Sequence, residues 1–118
     1  MIKMILADDE PVIIRGIQKL VDFNRLGIEI VGEYEDGKAA FDGILTEKPD
    51  IALLDIYMPK KTGIEILKEL KALGIETKVI FVSGFQDFQY ARDALTYGAV
   101  NYLLKPVIRE ELVETLEK

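Results

Sequence analysis

Three kinds of functional group in this sequence can do chemistry together. They are the carboxylates of Asp8, Asp9 and Asp55, the hydroxyl of Ser83 and the ammonium of Lys105. Each group directly follows a short apolar run: Met4-Ile5-Leu6-Ala7, Ile51 to Leu54, Lys78 to Val82, and Val100 to Leu104. Three carboxylates gathered in one place repel one another and cannot all ionise without a counter-charge. Lys105 is one available cation, and a hard divalent ion is the other. Mg²⁺ suits such a set, because it binds through one or two carboxylates, waters and a phosphate oxygen. With the charge neutralised, Asp55 is placed to act as a nucleophile towards phosphorus and form an aspartyl phosphate. Phosphoryl transfer asks mainly for alignment and charge neutralisation. The metal and Lys105 would take equatorial oxygens, and the Ser83 hydroxyl would donate to another.

What the chain lacks narrows the chemistry further. Its 118 residues contain no histidine, which excludes His-based acid–base catalysis, Ser–His triads and His-ligated metals. There is no cysteine, so disulfides and thiolate metal sites are excluded too. The formal net charge is −6 with the acids spread along the chain, not the basic face that nucleic-acid binding uses. No apolar run is long enough to cross a bilayer. No segment reads as a secretory signal, so a cytoplasmic home with no membrane contact is expected. The length fits one domain, residues 1–118.

The elements that must position these groups alternate. Strands are expected at Met4–Ala7, Ile28–Tyr34, Ile51–Leu54, Lys78–Val82 and Val100–Leu104. Helices are expected from Pro11 to about Asn24, Gly37 to about Lys48, Gly63 to Leu73, Gln86 to Tyr97, and Ile108 to about Glu117. Gly74 reads as a helix stop, and Phe88, Ala91 and Leu95 as the inner stripe of the fourth helix. The Lys60-Lys61 pair reads as solvated.

Unbroken apolar strands alternating with amphipathic helices predict an α/β protein with a parallel sheet covered on both faces. A flavodoxin-like (βα)5 arrangement, doubly wound with strand order 2-1-3-4-5, fits best, although composition does not separate it from other doubly wound orders. Ligands of such sheets bind at the carboxyl ends of the strands. In that order strands 1, 3, 4 and 5 are neighbours about 4.8 Å apart. Asp8 and Asp9 then stand beside Asp55, with Ser83 one strand on. Lys105 stands about 10 Å from Asp55, within reach of a long side chain.

These residues resemble a known family. Ile5-Leu6-Ala7-Asp8-Asp9-Glu10, Leu54-Asp55-Ile56-Tyr57-Met58-Pro59 with Gly63, Val82-Ser83-Gly84 and Tyr102-Leu103-Leu104-Lys105-Pro106 are similar to the motifs of two-component response regulator receiver domains, in order and over essentially the whole chain. The resemblance implies Asp55 as phosphoacceptor, with Asp8, Asp9, Asp55 and the Tyr57 backbone carbonyl as Mg²⁺ ligands. It implies Lys105 as the phosphate-binding lysine, Ser83 and Tyr102 as the switch pair, and a cis peptide between Lys105 and Pro106. It also implies a signalling switch, an enzyme only in catalysing its own phosphorylation and dephosphorylation. The phosphoryl donor would be a sensor histidine kinase outside these residues. Homodimerisation on activation would use the region 86–118. The stretch Ser83 to Ala91 looks most like receivers fused to AraC-type DNA-binding output domains, so nucleic acid would be contacted by residues not in this chain.

Each residue also has a plainer reading. Asp8-Asp9 can cap the helix that begins at Pro11. Asp55 can end a strand, Ser83-Gly84 can form a tight turn, and Lys105 can be a surface lysine. Tyr57 and Phe85 each follow a site residue by two, where an aromatic ring would shield a phosphoaspartate from water. Two other functions compete: a pseudo-receiver that binds partners without phosphorylation, and a phosphatase with an Asp nucleophile. The latter usually needs a carboxylate two residues after the nucleophile, and position 57 is Tyr.

Overall fold

Apolar runs become strands and amphipathic stretches become helices throughout the computed structural model, which describes residues 1–84 and 88–117. In order these are β1 (Ile2–Ala7), α1 (Pro11–Leu20), β2 (Ile28–Tyr34), α2 (Gly37–Glu47), β3 (Ile51–Leu54), α3 (Gly63–Leu73), β4 (Lys78–Ser83), α4 (Phe88–Thr96), β5 (Asn101–Leu104) and α5 (Arg109–Glu117). The strands form one parallel sheet in the order β2-β1-β3-β4-β5, the flavodoxin-like doubly wound arrangement.

Strand side chains alternate between two apolar layers, as the pleat requires. Ile5, Ala7, Ala52, Leu54, Val79 and Phe81 pack with Ile44 of α2, Ile66, Leu67 and Leu70 of α3 and Ala94 of α4. Met4, Leu6, Leu53, Ile80, Val82 and Leu103 pack with Ile14 and Ile17 of α1 and Leu112 of α5. Because both faces are covered, these strands read as continuous apolar runs.

Local chemistry sets the helix ends. The Asp36 carboxylate accepts the Ala39 N–H at 2.7 Å and so starts α2. Thr62 and Glu65 form a reciprocal capping box at α3, worth about 1 kcal/mol. Gly74 ends α3 in the left-handed conformation, with φ 73°. At the sheet edge, the Asn101 side chain accepts the Tyr102 N–H and donates to the Thr115 hydroxyl of α5, both at 2.8 Å.

Two of the expected helices need correction. Helix α1 stops at Leu20, not near Asn24. Val21 is extended, with φ −131° and ψ 138°, and Val21 and Phe23 both turn into the core before a single 3-10 turn at Asn24–Leu26. Among the described side chains of α4 it is Ala94 that is buried, and Leu95 is 52% exposed. The side chains of Phe88 and Ala91, the other members of that expected stripe, lie outside the described residues.

Candidate functional site

The site grows from strand register. Ala7, Leu54, Phe81 and Tyr102 lie side by side across β1, β3, β4 and β5. The next residues after Ala7 and Leu54 are therefore Asp8 and Asp55 on adjacent strand ends, and the Asp55 N–H donates to the Ala7 carbonyl at 2.9 Å. Ser83 ends β4 fully buried. Its carbonyl accepts the Lys105 N–H at 2.9 Å, which fixes the backbone of the lysine at the same rim.

Lys105 then reaches inward. Its Nζ lies 3.0 Å from Asp8 Oδ2 and 3.3 Å from Asp55 Oδ2. Both carboxylates are buried, at 3% and 5% exposure, so one ammonium serves two acids shielded from water. Burial pushes the Asp55 carboxyl up to about 6, and the Asp8 charge pushes the same way. The Lys105 charge and hydrogen bond and the Tyr57 N–H only partly offset this. Burial works against the Lys105 charge, but its hydrogen bond to Asp8 and the charge of Asp55 lift its pKa above the ordinary lysine value.

Asp9 sits differently. It is exposed, and its carboxylate groups with those of Asp8 and Glu10, with oxygens within 4.8 Å of one another. Sequence reasoning passed over Glu10. The signal in the sequence was the unbroken acidic run Asp8-Asp9-Glu10; in the structure the Asp8 side chain accepts the Glu10 N–H at 2.9 Å, an Asx-type turn. All these donors are hard oxygens, and the buried pair carries more negative charge than Lys105 cancels. Such a set fits Mg²⁺.

The remaining expected residues fall around this centre. Tyr57 is 49% exposed on the loop after β3, and its backbone N–H favours the charged form of the Asp55 carboxylate. Tyr102 is half-buried in β5, and its hydroxyl donates to the Gly84 carbonyl at 3.3 Å. The Lys105–Pro106 peptide is cis. Phe85 lies outside the described residues.

Known proteins match this arrangement along the whole chain. The family described as the response regulator receiver domain matches residues 4–117. The uncharacterized transcriptional regulatory protein YesN of Bacillus subtilis is 35% identical over 118 residues, which are 100% of this chain and 32% of YesN. Across the first curated relatives the chain spans 32% to 52% of their length. The receiver domain of AraT, a response regulator from Geobacillus stearothermophilus, superimposes with TM-score 0.90 at 32% identity, covering 98% of this chain and 89% of that one. A chain of the CheX-CheY-BeF3-Mg+2 complex from Borrelia burgdorferi superimposes with TM-score 0.86 at 26% identity, covering 98% and 86%.

Proposed function

This chain belongs to the response regulator receiver domain family, and from that premise we propose that Asp55 is its phosphoacceptor. The observation that carries the reading is the buried Asp8–Lys105–Asp55 bridge at the strand ends. A receiver domain is a signalling module of two-component systems, and residues 1–118 are read here as one such domain.

In the proposed step an Asp55 carboxylate oxygen attacks phosphorus. The bond from phosphorus to the imidazole of a sensor kinase's phosphohistidine breaks, and the imidazole leaves. Lys105, already against Asp55, takes one equatorial oxygen, and the Ser83 hydroxyl donates to another. Asp8, Asp9 and Asp55 with the Tyr57 carbonyl would hold Mg²⁺, and the metal would supply charge neutralisation on the phosphoryl oxygens. Glu10 joins the same acidic group. The new phosphate brings roughly two negative charges beside Ser83 and Lys105. Drawing Ser83 to the phosphate makes room for Tyr102 to turn inward. That biases β5 and the surface of residues 86–118, where the activated domain would pair with a second copy.

The exposed ring of Tyr57, with that of Phe85, would screen the phosphoaspartate from water. A Tyr57→Ala protein would then lose its phosphate faster than wild type, and an unchanged decay would end this idea. YesN is described as a transcriptional regulatory protein, and this chain matches about a third of it. We therefore read the domain as the input half of a cytoplasmic transcription regulator with an AraC-type output domain, which would carry DNA contact. No helix among the described residues is long and apolar enough to cross a membrane.

Intact-mass measurement after incubation with acetyl phosphate and Mg²⁺ tests the reading. Wild type should gain one phosphoryl group and Asp55→Asn none. Wild type without the added mass would leave the pseudo-receiver reading in its place, which the complete set of Asp8, Asp55 and Lys105 disfavours.

A further inference from the structure

Helix α2 begins hard against the loop that leaves β3. The Gly37 N–H donates to the Pro59 carbonyl at 3.0 Å, and the same carbonyl accepts the Lys61 N–H at 2.8 Å. A Cβ at position 37 would stand 1.7 Å from the Lys61 carbonyl oxygen and 2.5 Å from its carbonyl carbon. The obstacle is backbone, which cannot swing aside as a side chain would. Only glycine allows two main chains to approach so closely.

The same loop meets a second glycine at its far end. The Gly63 N–H donates to the Ile56 carbonyl at 2.8 Å, and a Cβ at position 63 would stand 2.6 Å from the carbonyl oxygen of Asp55 itself. Between the two contacts Lys60 holds a left-handed φ of 72°, which a non-glycine residue keeps only when its surroundings impose it. Its ammonium faces Asp36, the residue before Gly37, at 3.9 Å. Lys61, expected to be solvated, instead pairs with Glu69 and lies over the Phe41 ring at 4.9 Å. The loop is thus held between the starts of α2 and α3, against the Asp55 carbonyl at its end, and it carries the Tyr57 N–H that favours charge on the Asp55 carboxylate.

We propose that Gly37 is a positioning residue for the Asp55 site: by admitting the Pro59–Lys61 backbone to the start of α2, it fixes the loop that presents the Tyr57 backbone to the Asp55 carboxylate. Its consequence for phosphorylation rests on the function proposed above, whereas its consequence for the loop does not.

The test compares wild type with Gly37→Ala. In metal-free protein the Tyr57 amide should exchange with solvent about 10-fold faster in the variant, with the Leu53 and Phe81 amides unchanged. At limiting Mg²⁺, the initial rate of phosphorylation by acetyl phosphate should fall about 10-fold or more, as sub-ångström misplacement of a reacting group does. Asp36→Ala removes the α2 cap and the partner of Lys60 without adding an atom, so it should give the same Tyr57-specific change to a lesser degree. Asp42→Ala, on the same helix, should give none. Equal acceleration at Leu53 and Phe81, or an unchanged Tyr57 amide, overturns the proposal. If Gly37→Ala does not fold, an unchanged Tyr57 amide in Asp36→Ala overturns it. Wild type that takes no phosphoryl group counts against the functional reading alone, because amide exchange still decides the loop.

Discussion

The Lys105 ammonium reaches the Asp55 carboxylate at 3.3 Å across the whole width of β4, which lies between their strands. It also meets Asp8, one strand beyond Asp55, so a single cation joins three strand ends. Removing it should cost rate before it costs fold. With Lys105→Ala, phosphorylation by acetyl phosphate at saturating Mg²⁺ should slow by about 10²-fold, the usual effect of losing one preorganised group opposite developing charge. Lys105→Arg should recover little, because a planar fork replaces a point charge. Stopped-time mass measurement gives both rates.

The raised pKa of Asp55 makes a stability prediction with a definite sign. Its value of about 6 in the folded protein lies above the ordinary 3.8, so folding favours the protonated acid. That contribution is complete below pH 4 and is lost as the pH rises through about 6. Metal-free wild type should therefore fall progressively behind Asp55→Asn between those limits. Across that range the variant should gain on wild type by about 3 kcal/mol, or roughly 12 °C in Tm. Thermal unfolding from pH 4 to 8 checks this, and parallel curves would count against the burial argument.

Mg²⁺ should offset that loss in wild type. A ligand bound only by the folded state stabilises it by about 2.7 kcal/mol at one hundred times its Kd. Wild type at pH 7.5 should gain in Tm with MgCl2, relative to NaCl of equal ionic strength. Asp8→Asn should lose most of the gain, and Asp9→Asn part of it. Glu10→Gln, next to them in the acidic group, separates direct ligation from simple charge.

Tyr102 offers two separable losses. Its hydroxyl bond to Gly84 is long at 3.3 Å, so Tyr102→Phe should cost less than about 1 kcal/mol. Its ring lies against the core on the α3–α4 side, so Tyr102→Ala should cost about 2–3 kcal/mol. Urea denaturation distinguishes them. If Tyr102 turns on activation, beryllofluoride and Mg²⁺ should shift its ring resonances in wild type and not in Asp55→Asn.

Much of this architecture is legible in the residue order. Buried parallel strands announce themselves as unbroken apolar runs, so Ile51–Leu54 has the expected limits; the half-buried edge strand Ile28–Tyr34 and α3 between Thr62 and Gly74 have them too. The convergence of Asp8, Asp55 and Lys105 follows from strand order and a 4.8 Å spacing. What escaped depends on contacts between segments distant in sequence. Nothing near Gly37 says that a backbone 24 residues later will press against it. Lys61 looks solvated until α3 brings Glu69 beneath it. In α4, hydrophobicity favours Leu95 for the interior, but the space beside the sheet accepts the methyl group of Ala94.

The Asn101 amide is shared between two owners: its oxygen is held by the peptide that carries Tyr102, and its nitrogen by Thr115 of the final helix. Thr115 is itself anchored to its own helix through the Glu111 carbonyl at 2.9 Å. A tilt of the edge strand therefore drags one rigid rod with it or breaks a sheltered polar link. In the proposed switch, the first outcome would convert a turn of the Tyr102 ring into a change in the angle of α5, and the second would uncouple the two.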